Sequence, residues 1–133
     1  MSSLDKNKIA QNLSKIQESN NVEILENIQY FDGSGIKPSV VGTIAGMLLS
    51  NYDWQKPIVG YTHIDSDEPG YKVSLRCSKL LGYEGIHFGN IVRDISEKCG
   101  GSGGGHSVAC GAYIPEENMG KFINLLNNSV NIV

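Results

Sequence analysis

Five glycines and a histidine fall within seven residues in Gly100-Gly101-Ser102-Gly103-Gly104-Gly105-His106, and Ser107 follows. Ordering glycine costs more backbone entropy than ordering any other residue, so a run inside a folded segment needs a reason. One reason is anion binding: a bare backbone lets a phosphate approach its N–H groups, in a concavity known as a nest. A structural turn would use the same residues, and spacing alone leaves both open. A flexible linker fits poorly, because the run lies between an amphipathic helical pattern and a strand pattern. Two other phosphate motifs are excluded. A Walker A loop has Lys and then Ser or Thr after its last glycine, where His106 and Ser107 stand here. A dinucleotide fingerprint follows a strand and opens a helix, the reverse of the order in this chain.

His106 closes the run. An isolated histidine is commonly a structural hydrogen bonder, but beside a glycine nest its imidazole can donate to a phosphate oxygen and gain charge near neutral pH. Arg76 lies on a strand pattern, where a guanidinium can grip phosphate through two parallel bonds or serve as an ordinary surface cation. His63 and His87 have no metal-ligand spacing with each other or with a cysteine, and are assigned structural roles. The acidic segment Asp65-Ser66-Asp67-Glu68-Pro69-Gly70 reads as a solvated turn rather than a metal site. No metal site is expected in this chain.

The elements that must position these groups follow from periodicity. Ser2 and Asp5 resemble a helix cap, and Ile9, Leu13 and Ile16 recur at helical spacing, so residues 1–21 are expected to form a helical lead-in or linker. The spacing of Val22, Ile24, Ile28 and Tyr30 predicts one strand ending at Asp32-Gly33-Ser34-Gly35. Pro38 and Ser39 open a helix through Val40, Val41, Ile44, Ala45 and Leu48, with Gly42 and Gly46 one turn apart for close packing. Pro57 to Ile64 reads as a buried strand. The next segment alternates cleanly, with Tyr71, Val73, Leu75 and Cys77 on one face and Lys72, Ser74 and Arg76 on an exposed polar row. Phe88, Ile91, Val92 and Ile95 form a helical stripe that Gly100 stops. Val108 to Ile114 is a strand, and Pro115, Glu116 and Glu117 start a last helix through Met119, Phe122, Ile123 and Leu126. Interleaved strands and helices predict an α/β fold, a mixed β-sheet flanked by α-helices in a single compact domain.

Bulk properties narrow the class. The chain has 133 residues, 40% of them apolar and 19% charged, which suits one globular core. Its net charge of -3 argues against a long basic surface that wraps nucleic acid, and leaves room for a local phosphate site. Cys77, Cys99 and Cys110 form neither a CxxC pair nor a disulfide framework, and read as small buried hydrophobes in a reducing cytoplasm. No membrane span or signal peptide is visible.

With these residues in place, a family resemblance becomes specific. Lys72-Val73-Ser74-Leu75-Arg76, Gly101-Ser102-Gly103-Gly104-Gly105-His106 and Ala109-Cys110-Gly111-Ala112 resemble the DHH-associated domain of RecJ-type phosphoesterases. Phe31-Asp32-Gly33, Val41-Gly42-Thr43-Ile44-Ala45 and Lys56-Pro57 are similar to the archaeal RecJ-like subgroup, and the likeness spans roughly residues 22 to 127. Cys110 departs from the alanine usual in that family. The resemblance implies that residues 22–133 are a DHH-associated substrate-binding domain in which Arg76, Gly103, Gly104, Gly105 and His106 hold a phosphate. It implies no cofactor in this chain, because Mn²⁺ or Mg²⁺ belongs to a catalytic DHH domain, supplied in cis or in trans, whose Asp-His-His motif is absent here. The chain alone is therefore expected to be inactive. Expected partners are single-stranded nucleic acid or short nucleotides, and replication proteins such as the GINS complex. The alternatives are the equivalent domain of a small-nucleotide phosphodiesterase acting on oligoribonucleotides or cyclic dinucleotides, a tRNA-contacting appendage like that of alanyl-tRNA synthetase, and a protein-interaction module of a replication assembly. His106 matches the phosphoesterase branch and argues against the synthetase.

Overall fold

Phe31, Ile44, Ile58, Phe88 and Phe122 have no exposed surface, and they lie on opposite sides of one sheet. The computed structural model describes residues 22–49, 52, 55–83 and 85–130, so the expected helical lead-in lies outside the described residues. Six strands form the sheet: β1 (Val22–Ile24), β2 (Gln29–Asp32), β3 (Ile58–Ile64), β4 (Gly70–Arg76), β5 (Ser102–Gly105) and β6 (Ala109–Pro115). Their spatial order is β1-β2-β3-β4-β6-β5. Only β2 and β3 run parallel, and every other neighbouring pair is antiparallel. The mixed α/β architecture expected from the sequence is observed.

Helix α1 (Pro38–Leu49) makes the crossover between the parallel strands and covers one face of the sheet. Val41, Ile44, Ala45 and Leu48 pack there against Val22, Phe31 and Ile58. A short helix α2 (Lys79–Tyr83), which no periodic pattern announces, follows β4. Helices α3 (Phe88–Lys98) and α4 (Met119–Ser129) cover the other face, burying Phe88, Val92, Phe122 and Leu126 against Val59, Val73, Leu75 and Ile114. Among the described residues no helix is long and apolar enough to cross a membrane.

Several expectations need correction. The predicted single strand from Val22 to Tyr30 is two antiparallel strands. A tight turn closed by the Leu25 N–H on the Ile28 carbonyl at 2.8 Å folds Val22 back onto Phe31. The last helix begins as a 3-10 turn, Glu116–Asn118, before α4. The polar row of β4 is not fully exposed either: Ser74 is buried and Arg76 half-buried, because α1 lies over them. Gly42 makes that approach possible, since a Cβ there would meet the Arg76 guanidinium at 2.4 Å, whereas Gly46 faces open space. All three cysteines are buried and free, as their spacing suggests. His87 is structural, capping α3 by accepting the Asn90 N–H at 3.1 Å.

Among the described residues, the tightest helix-on-sheet approach marked by a glycine is α3 on β5. A Cβ on Gly89 would lie 2.2 Å from the Gly105 carbonyl oxygen and 2.9 Å from that of His106. Gly89→Ala thus sets a helix-propensity gain of about 1 kcal/mol against an overpacking cost of about 1–3 kcal/mol. The obstacle is backbone, which yields less readily than a side chain, so the clash wins. Urea unfolding should show a net loss of up to about 2 kcal/mol.

Candidate functional site

Helix α1 covers β2, β3 and part of β4, and among the described residues no helix covers the β6–β5 half of that face. Strand register determines what stands on that bare half, because residues paired across strands share a face. Three rows run across the strands. The middle row is Gly60, Ser74, Gly111 and Gly104, which carries almost no side chain. Beside it run Thr62, Lys72, Tyr113 and Ser102 on one flank, and Ile58, Arg76 and Ala109 on the other. The His106 N–H bonds the Ala109 carbonyl at 2.9 Å, which extends the second flank to His106.

The result is a trough perpendicular to the strands, roofed by α1 over Gly60 and Ser74 and open over Gly111 and Gly104. An open cavity of about 460 Å³ lies there, lined by Lys72, Ser102, Gly103, Gly104, Gly111 and Tyr113 among others. Tyr113 is fixed by donating its hydroxyl proton to the Glu68 carbonyl at 2.5 Å. Of the residues singled out from the sequence, Gly103 and Gly104 line this cavity, Arg76 and His106 lie beyond its lining on the second flank, and Gly105, paired with Cys110, falls in the row that faces α3 on the other side of the sheet. Lys72, Ser102, Gly111 and Tyr113 escape the initial selection. For Lys72 the signal is present, since alternation in β4 places it on the face of Arg76.

The glycine run is a strand rather than a loop. Ser102–Gly105 is the edge strand of the sheet, so its outer side presents backbone groups with no neighbouring strand. A compact nest is replaced by extended backbone in which Gly104 has φ 146° and Gly105 φ 141°. L-residues rarely adopt that region, which accounts for glycine at both positions.

Arg76 is half-buried and already oriented. Its Nη1 donates to the Leu75 carbonyl at 2.8 Å and to the Cys110 carbonyl at 3.3 Å. Among the described residues its Nε and Nη2 make no hydrogen bond, and no carboxylate lies within salt-bridge distance. Two strand spacings, about 9.5 Å, separate the Arg76 and His106 backbones. Only the Ala109 methyl stands between them in that row. His106 is exposed, and no hydrogen bond holds its ring among the described residues. His63 instead pairs with Glu116 at 2.7 Å, away from the trough. No group of three or more His, Cys, Asp or Glu among the described residues is arranged to hold a metal ion.

Residues 21–131 match the DHHA1 domain family, and the chain belongs to that family. It is 31% identical over 119 residues to an uncharacterized protein of Methanocaldococcus jannaschii, covering 90% of this chain and 25% of that protein. The chain thus spans about a quarter of the length of this curated relative. Among solved structures it resembles the C-Ala domain of Aquifex aeolicus alanyl-tRNA synthetase, with TM-score 0.59, 17% identity, and coverage of 80% of this chain and 95% of that one. It also resembles a pGpG-specific phosphodiesterase, PggH, from Vibrio cholerae, with TM-score 0.58, 14% identity, and coverage of 94% and 41%. At such identities the likeness is one of fold.

The thiol beneath the Arg76 row makes the site sensitive to alkali. Burial pushes the Cys110 thiol from 9.0 up to about 12 and the Cys77 thiol up to about 11. Below pH 9 both states keep these protons, so the stabilisation is complete. Above pH 9 the unfolded chain releases them first, and stability falls as pH rises toward 11 to 12, at up to about 1.4 kcal/mol per pH unit for each thiol. Cys110→Ala should flatten that decline in urea melts taken across pH 8 to 11, leaving the share due to Cys77.

Proposed function

We propose that this chain is the substrate-holding domain of a RecJ-like, single-strand-specific exonuclease of the DHH phosphoesterase family. The observation that carries this reading is the row Arg76, Ala109, His106. It sets an oriented guanidinium and an imidazole, neither with a side-chain partner among the described residues, on either side of one small methyl, at the open end of a side-chain-poor trough. A phosphate above Ala109 would receive charge-assisted hydrogen bonds from both, and the bare Gly104 and Gly111 backbone admits the sugar-phosphate chain alongside. Lys72 stands two residue pairs from Arg76, about 13 Å along β4, so a second phosphate falls within its reach. In this reading the chain binds and orients, and hydrolysis is supplied by a DHH domain carrying Mn²⁺ or Mg²⁺.

A second reading, the equivalent domain of a phosphodiesterase acting on very short nucleotides, is favoured by one feature. The cations of the trough end within that same 13 Å or so, the span of two or three nucleotides. Affinities for strands of increasing length separate the two. A plateau at two or three nucleotides supports the short-substrate enzyme, and continued gain supports the exonuclease.

Titration of a fluorescent single-stranded oligonucleotide tests the site itself. His106→Ala should weaken binding by about 1.5–3 kcal/mol, the worth of a hydrogen bond to a charged partner. It should change stability by only about 0.5 kcal/mol or less, as at other exposed positions. Arg76→Lys keeps the charge but loses the fork, and should weaken binding in the same sense. With one or two phosphates engaged, the log–log salt slope should be about -0.7 to -1.4. Unchanged affinity in His106→Ala, with a clear fall in melting temperature, would make the histidine structural and sink the assignment. The chain alone should leave oligonucleotides intact when Mn²⁺ is added.

A further inference from the structure

The helices are offset on the two sides of the sheet, so among the described residues no helix lies over the part of the second face formed by β1, β2 and the start of β3. Its chemistry is the opposite of the trough's. Tyr30, Tyr61 and Tyr71 are half-buried there and form a continuous aromatic run, with ring centroids 6.2 Å apart for Tyr30–Tyr61 and 5.4 Å for Tyr61–Tyr71. His63 extends the run edge-on to Tyr71 at 5.2 Å and carries Glu116 on its far nitrogen. The register sets exposed carboxylates beside the rings, pairing Glu23 with Tyr30 and Asp32 with Tyr61. A cleft of about 300 Å³ separates Tyr30 and Tyr61 from Met119, Gly120, Ile123 and Asn124 at the start of α4, and neither lysine nor arginine lines it.

We infer that this half-face docks a net-positive polypeptide segment, with an arginine side chain seated on the tyrosines between the carboxylates. An aromatic face attracts a cation, and arginine is the usual partner because its planar group also stacks. Met119 and Ile123 line the cleft and offer the apolar stem of that side chain a surface to lie on. Nucleobases also stack on tyrosine, but a strand lying here would bring its phosphates against Glu23 and Asp32, where like charge opposes it. Burial first, and then the Asp32 carboxylate, push the Tyr61 phenol up to about 12, so it remains a neutral hydrogen-bond donor at any physiological pH. Because the site is on the opposite face from the trough, the inference does not rest on the phosphate reading.

The test uses an acetylated, amidated peptide of alternating arginine and glycine, followed by NMR of the tyrosine rings in the 133-residue chain. The rings of Tyr30, Tyr61 and Tyr71 should shift. Tyr61→Ala should weaken binding roughly fivefold or more, while Tyr61→Phe, which keeps the ring and guards against a folding artefact, should stay within about twofold. Glu23→Gln with Asp32→Asn should weaken binding more than Asp94→Asn with Glu97→Gln, a pair of equal charge change on α3. His106→Ala should leave peptide binding unchanged, so failure of the trough reading and failure here are distinguishable. Equal effects of the two charge pairs would reduce the attraction to net charge and overturn the inference. Ring shifts absent in large peptide excess, or produced instead by a single-stranded oligonucleotide, would do the same.

Discussion

The structure turns on how closely α3 lies against the backbone of β5. No side chain separates Gly89 of the helix from the Gly105 carbonyl, and Ser102–Gly105 brings to the sheet no side chain larger than a hydroxymethyl group. Such a strand cannot hold its place by burying apolar surface, and glycine has low strand propensity. It is held by its ladder to β6 and by the helix lying directly on it. The absence of side chains has a second consequence on the opposite face. There the same residues, with Gly111, leave a floor of backbone on which a ligand can lie. One local composition therefore meets a packing requirement and would, in the proposed reading, meet a recognition requirement as well, which is why spacing alone cannot choose between a structural element and a phosphate site.

The sequence carries much of this and hides some of it for identifiable reasons. Period-two alternation from Tyr71 to Cys77 is enough to place Lys72, Ser74 and Arg76 together, and the stripes of α1, α3 and α4 are legible because each has a continuous apolar side. Cover over the β4 polar row is not legible, because the contact is made by an absence, the missing Cβ of Gly42. The break between β1 and β2 escapes for a related reason. Leu25 to Ile28 contains neither Gly nor Pro, and the turn is closed by a backbone hydrogen bond that leaves no compositional mark. Strand β5 is hidden by its own composition, since residues that tolerate positive φ read as loop until a partner strand and a helix are seen on either side.

Net charge is a poor guide here because the charge is sorted by face. The chain carries -3 overall, yet Lys72, and Arg76 at the edge of α1, stand on one face while Glu23, Asp32 and Glu116 stand on the other. The sheet lies between them, and the offset helices, α1 on one side and α3 with α4 on the other, decide which half of each face is left bare. A domain of this kind can present a cationic surface to an anionic ligand and an acidic, aromatic surface to a cationic one without either neutralising the other. Screening supports the separation, since exposed charges more than about 8 Å apart interact weakly at physiological salt.

Arg76 is the residue on which the proposed reading of the trough as an anion site rests. A half-buried cation loses hydration, and the two carbonyls at its Nη1 restore hydrogen bonds without cancelling its charge. A carboxylate would cancel it, and none is within reach among the described residues. Seating the guanidinium against Gly42 and tying it to β4 and β6 removes side-chain freedom that a surface arginine would have to lose on binding. The cost of ordering is met during folding, by contacts that also hold α1 on the sheet. Among the described residues its charge and its Nε and Nη2 donors have no protein partner, and in the proposed reading a tetrahedral anion beside His106 would meet both in one contact. An oriented cation left without its counter-charge is difficult to explain as packing, because a neutral side chain of similar length would fill the same space at lower desolvation cost.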